Sequence, residues 1–220
     1  MAVRNVETFF DAYAEGFDAI YGTQHTLFNR VINKHFRKCM RIRFEKTMAG
    51  CLPIEGRRVL DIGCGPGHYG IHLAEQGAGQ VCGIDFAEGM ISLAEGRAQA
   101  QGISDRCQFV LGDFLAHRFD ALFDYAVVMG FMDYVEDPKA VVEKVLSLTA
   151  SRAFFSFPMD GGFLAWQRKV RYRRKCDLFL YRLEDVLGLF EGANCEVEVE
   201  DAHRDFFVTV RVPENQNGGL

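Results

Sequence analysis

Residues 59–67 read VLDIGCGPG. A short apolar run ends in a carboxylate, Asp61, and glycines follow at alternate positions, Gly63, Gly65 and Gly67. The period changes across the stretch. RRVLDIG has the make-up of a strand, and YGIHLAEQG, beyond the glycines, has that of a helix stopped by glycine. A glycine turn between strand and helix bends the chain tightly and lets a ligand approach the backbone closely. In doubly wound sheets such turns lie at the carboxyl ends of parallel strands, near the point where strand order reverses.

The alternation continues outward. QVCGID reads as a strand and AEGMISLAEGRAQAQG as a helix. CQFVLGD and FDYAVVMG are strands, DPKAVVEKVLSLTA is a helix with Pro138 in its first turn, and RAFFSFP is a strand. Strands alternating with helices predict parallel strands joined by right-handed crossovers. YRLEDVLGLFEGA then reads as a helix. CEVEVEDAH and DFFVTVRV, close in sequence, predict an antiparallel addition to the sheet. Upstream, residues 26–49 predict one long helix with Ile32, Phe36, Met40, Phe44 and Met48 at helical spacing, ended by Pro53 and Gly56. The expected fold is α/β: a doubly wound, mostly parallel seven-stranded sheet with a final antiparallel strand.

Composition narrows the class. The 220 residues are 49% hydrophobic and 25% charged, enough for one real core. A net charge of -5 offers no general basic field, so no nucleic-acid partner is expected. There is no apolar run of about 18 residues and no signal-peptide pattern at the N-terminus. The cysteines at 39, 51, 64, 82, 107, 176 and 195 are odd in number and lack CxxC spacing. They read as reduced core thiols of a cytoplasmic protein, with no metal site.

Two cofactors suit the glycine turn. Gly65-x-Gly67-x-x-Gly70 fits a dinucleotide fingerprint, and Asp85, ending the next strand, could hold ribose hydroxyls of either a nicotinamide cofactor or S-adenosylmethionine. Asp61 separates them. A carboxylate there repels a diphosphate and attracts an ammonium and a sulfonium. At ~4 Å and an effective dielectric near 20, a unit pair is worth about 4 kcal/mol before desolvation.

With those residues in place, the chain resembles the class I S-adenosylmethionine-dependent methyltransferases from about Val59 to Pro158. The resemblance implies a Rossmann-like fold and S-adenosylmethionine as methyl donor, leaving S-adenosylhomocysteine as product. It makes Asp61, Gly63, Gly65 and Gly67 the methionine-side loop and Asp85 the ribose ligand. It sets Phe86 and Met90 beside the adenine, Asp113 as acceptor from the adenine amino group, and Phe114 beside the ring. The backbone around Met129 and Gly130 would face the methionine end. Plainer roles stay open: Asp85 as a helix cap near Ala87, Asp113 as a turn aspartate, Phe86 and Met90 as core. Tyr13, Phe17 and Tyr21 resemble an N-terminal lid over the cofactor, with a simple packed helix as the alternative. The implied layout is a lid or substrate segment at 1–50, a core at 51–212 with a basic insertion at about 159–180, and a tail at 213–220.

A base is needed only where the acceptor must lose a proton. The candidates are Asp133, Tyr134 and His25, followed by His68, Tyr69 and His203. Asp133 could instead cap a helix, Tyr134 could be a core or lid aromatic, and His203 could be a turn residue. The GFMDYV stretch lacks the NPPY-type element that marks amino-group methylation of bases or glutamine in this family. Two basic features stand out in an acidic chain: Arg30, Lys34, Arg37 and Arg41 at helical spacing, and RKVRYRRK at 168–175. Either they are solvated faces, or they attract an anionic acceptor or an anionic membrane surface. The expectation is O-methylation of a small, acidic or amphipathic molecule; the alternatives are a nucleic-acid or protein methyltransferase, or a non-catalytic S-adenosylmethionine-binding protein.

Overall fold

The structure is a computed structural model that describes residues 27–161 and 178–213. Tyr13, Phe17, Tyr21, His25, the 168–175 cluster, Cys176 and most of the tail lie outside the described residues. A long helix, α1 (Leu27–Gly50), leads into β1 (Arg58–Ile62), α2 (His68–Glu75), β2 (Gln80–Asp85), α3 (Glu88–Ala100), β3 (Cys107–Leu111) and β4 (Phe123–Val128). A 3-10 turn at Met132–Tyr134 precedes α4 (Pro138–Leu148) and β5 (Thr149–Pro158). Then come α5 (Leu183–Gly188), β6 (Glu196–Asp201) and β7 (Asp205–Arg211).

The seven strands form one sheet in the order β3-β2-β1-β4-β5-β7-β6. β1 pairs in parallel with both β2 and β4, so the order reverses beside β1, and the glycine loop opens there. β7 is the antiparallel strand. It lies between β5 and β6 and pairs antiparallel with each. The hairpin therefore completes the core: Val208 and Val210 are sealed within the sheet, and Phe207 packs on Phe154 with ring centroids 6.2 Å apart. Apolar clusters cover both faces, as a parallel sheet with crossover helices requires.

Two local expectations shift. The buried line of α1 is Cys39, Arg43 and Thr47, one step round from the apolar stripe; Met40, Phe44 and Met48 are half-buried. The displaced line is tolerable because its polar atoms carry partners. Thr47 Oγ1 donates to the Arg43 carbonyl at 2.8 Å, and Arg43 pairs with Asp205 at 2.9 Å. YRLEDVLGLFEGA is helical only to Gly188; turns beyond it bring Phe190 onto Phe155 at 5.7 Å. At α4, Asp137 accepts from Ala140 N at 3.1 Å and Pro138 opens the helix.

Candidate active site

The carboxyl ends of β1, β2, β3 and β4 bring most of the expected cofactor residues into one arc. The glycine loop is lashed to β2 by Gly63 N and Cys64 N, which donate to the Ile84 carbonyl at 2.9 and 3.1 Å. Gly63 and Gly65 have φ of 63° and 51°, the left-handed region that glycine adopts without strain. Their surroundings differ. A Cβ on Gly63 would strike the Phe131 ring at 2.5 Å, whereas one on Gly65 would meet nothing within 4 Å. Gly63 is there for packing, and Gly65 presents open backbone at the mouth of the loop.

Asp85 does two jobs within the protein. Oδ2 accepts from Gly65 N at 2.9 Å and Oδ1 from Ala87 N at 3.0 Å. It thus ties the glycine loop to Ala87 at the entry of α3; the bond stops at the cap position itself, and no side chain caps that helix. The Asp85 carbonyl accepts from Gly112 N at 2.9 Å, which sets Asp113 one residue further along the arc. Asp113 is exposed, and its Oδ1 accepts from Leu115 N at 2.7 Å. Phe114 meets Phe131 edge-on with centroids 6.4 Å apart, so Phe131 links the β3 loop to the glycine loop. Phe86 is half-buried, while Met90 is sealed among the core residues of α3, so Phe86 keeps the accessible surface of that pair.

Asp61 is 2% exposed. Its Oδ2 accepts from Gly70 N at 3.0 Å, in the first turn of α2. Burial pushes its carboxyl up from 3.8 to about 7; the Gly70 bond draws it down, and the charge of Asp85 raises it further. Among the described residues no cationic side chain forms an ion pair with it.

Behind the β4 loop lies a buried polar knot. Ser156 Oγ accepts from Gly130 N at 2.8 Å and from Arg43 Nη1 at 3.1 Å. Cys39 Sγ donates to Asp205 Oδ2 at 3.3 Å, and Arg43 Nη1 reaches the same oxygen. Burial works against the guanidinium charge, but the Asp205 carboxylate beside it outweighs that, and the Arg43 pKa is raised. Met129 and Asp133 are both buried here. Asp133 gives its carbonyl to Phe179 N at 2.8 Å, and Tyr181 Oη donates to the neighbouring Met132 carbonyl at 3.0 Å. Tyr134 is half-buried in the same 3-10 turn.

The other candidate bases sit apart. Arg97 Nη1 lies 3.3 Å from the His68 ring, tying it to α3, and Tyr69 packs on Phe44 at 5.5 Å. His203 is a turn residue with φ 75°, its N–H donating to Asp201. Arg43, Ser156 and Asp205 escaped the sequence reading because each looks ordinary where it stands. The signal for Arg43 was its place one turn beyond Cys39 on a helix otherwise read for apolar residues.

Residues 54–157 match the family model described as a methyltransferase domain. That stretch, a little under half of the chain, is similar to methyltransferase domains. One relative of this chain is the ubiquinone biosynthesis O-methyltransferase of Paracidovorax citrulli (strain AAC00-1). It is 38% identical over 141 residues, 64% of this chain and 55% of that protein. Another is the norajmaline N-methyltransferase of Rauvolfia serpentina, 31% identical over 98 residues, 44% of this chain and 34% of that protein. The chain thus spans about half or less of the length of these curated relatives. The magnesium protoporphyrin IX methyltransferase of Synechocystis PCC 6803, solved with bound SAH, superposes with a TM-score of 0.73. That match covers 94% of this chain and 98% of the other at 19% identity, and it shows a shared fold. Among the described residues no helix is long and apolar enough to cross a membrane.

Proposed function

We propose that the chain transfers a methyl group from S-adenosylmethionine to an oxygen of a small, acidic or amphipathic acceptor. The observation that carries this reading is Asp61: a sealed carboxylate beside the glycine loop, with no cationic partner among the described residues. A diphosphate would add a second negative charge there. An ammonium supplies the missing positive one. On this reading Asp85 holds the ribose hydroxyls, Asp113 accepts from the adenine amino group, and Phe86 flanks the ring, with the core residue Phe114 packed behind it. Gly65 and the Met129–Gly130 backbone take the methionine end, and Tyr21 covers it.

When bound, S-adenosylmethionine supplies a methyl already activated by its sulfonium. The chain's task is therefore alignment and exclusion of water. A hydroxyl acceptor must also lose a proton, and Asp133, Tyr134 and His25 are the groups assigned to receive it. Oxygen as the acceptor atom is supported by the 38% identical relative, a ubiquinone biosynthesis O-methyltransferase. An acidic acceptor is supported by Arg30, Lys34, Arg37, Arg41 and the 168–175 run, which would equally favour peripheral contact with an anionic membrane surface. A cytoplasmic site of action is supported by the free thiols Cys39, Cys51, Cys64, Cys82, Cys107 and Cys195.

The test is calorimetric titration with S-adenosylhomocysteine, with NADH as control, on wild type and on Asp85→Ala. Thermal melting of each protein reports that it is folded. Micromolar binding of the first ligand only, weakened at least about tenfold in Asp85→Ala, is expected. A folded wild type that ignores S-adenosylhomocysteine would sink the reading. Acceptors are then compared by methyl transfer in wild type and in Arg173→Ala/Arg174→Ala/Lys175→Ala. The KM of acidic acceptors should rise in the variant while that of the methyl donor holds. Unchanged acceptor kinetics would remove the acidic class.

A further inference from the structure

The β3 loop that carries Asp113 and Phe114 is clamped from outside by one side chain of α4. Lys144 Nζ donates to three carbonyls, Phe114 at 2.7 Å, Leu115 at 3.0 Å and His117 at 2.6 Å. An ammonium has three protons, and all three are placed. The same Nζ lies over the Phe114 ring at 5.0 Å and the Phe119 ring at 5.8 Å. The other end of the turn is closed by Asp113 itself: Oδ1 accepts from Leu115 N at 2.7 Å and the main-chain carbonyl from His117 N at 2.9 Å. The turn over residues 113–117 therefore has an aspartate at its start and a borrowed cation at its carbonyl end, as a helix terminus favours. α4 is a firm support for that cation, because Val141, Val142 and Val145 are sealed against the sheet on either side of it in sequence.

We propose that Lys144 is a positioning residue for the adenine end of the cofactor site: by holding the 113–117 turn it sets the Asp113 carboxylate and the Phe114 ring, and so determines how strongly the site prefers adenine to other purines. This rests on the cofactor reading given above. Lys144 bonds within the 114–117 turn, while Gly65 N and Ala87 N hold the Asp85 carboxylate, so its loss should weaken recognition of the base more than the ribose and methionine contacts. Burial outweighs the charge of Asp113, and the Lys144 pKa is lowered.

The experiment titrates the full chain with S-adenosylhomocysteine and with its inosine analogue, in which a carbonyl oxygen replaces the adenine amino group. Wild type should prefer the adenine ligand. Lys144→Met, similar in length but without charge, should bind that ligand about tenfold more weakly. Its preference over the inosine analogue should fall toward unity, with the melting temperature little changed because Lys144 is only part-buried. Lys144→Arg, which keeps the charge and several donors, should retain most of the preference. A Lys144→Met protein with the wild-type preference overturns the proposal, and so does a wild type that binds both ligands equally. A wild type that binds neither overturns the cofactor reading itself.

Discussion

Asp61 joins structure to ligand chemistry at the scale of one residue. Its native carboxyl titrates near 7, against 3.8 for an ordinary aspartate, because burial outweighs the single Gly70 N–H. Between those two values the folded chain keeps a proton that the unfolded chain has released. The resulting contribution to stability is complete below the lower value and is lost as pH rises through the upper one. A cationic ligand needs the ionised form, so binding and titration are linked in the opposite sense. Affinity for S-adenosylhomocysteine should climb by up to about tenfold per pH unit from about pH 5.5 and level off above about pH 7. Proton release would be read by comparing buffers of different ionisation enthalpy. Asp61→Asn should bind weakly with a flat profile; a profile as steep as wild type would assign the titration to another group.

At the scale of the element, α1 is fixed to the sheet by charge as much as by apolar contact. Arg43 and Asp205 are 6% and 2% exposed as side chains, and Arg43 Nε has no hydrogen-bond partner among the described residues. Such a pair adds little over well-packed apolar side chains, but removing one member strands a buried charge. Arg43→Met should cost about 3–5 kcal/mol in urea unfolding at unchanged m-value. Arg43→Met/Asp205→Leu should recover a large part of that loss. Equal destabilisation of the single and double variants would mean that the pair acts only through shape. Because Ser156 accepts from both Arg43 and Gly130 N, the helix that follows residues 1–26 is joined to the β4 loop through one hydroxyl.

At the scale of the whole molecule, stability should follow strand order. β2, β1, β4, β5 and β7 are flanked on both sides, whereas β3 and β6 are edges with exposed or half-exposed residues throughout. Native-state hydrogen exchange should show the inner strands opening only with global unfolding and the edges through smaller openings. β3 amides as protected as those of β4 would refute this. The arrangement of α/β units, the glycine turn and the order Asp61, Asp85, Asp113 were legible in the chain, since period, turn chemistry and strand-end acids are local properties. The boundaries of α1, β2 and α4 fell close to where spacing and capping residues put them. Tertiary structure alone decided that β7 slips between β5 and β6, that Arg43 finds Asp205, and that Lys144 caps the 114–117 carbonyls. Each of these joins segments far apart in sequence, and a polar side chain reveals no buried partner until packing has removed water from around it.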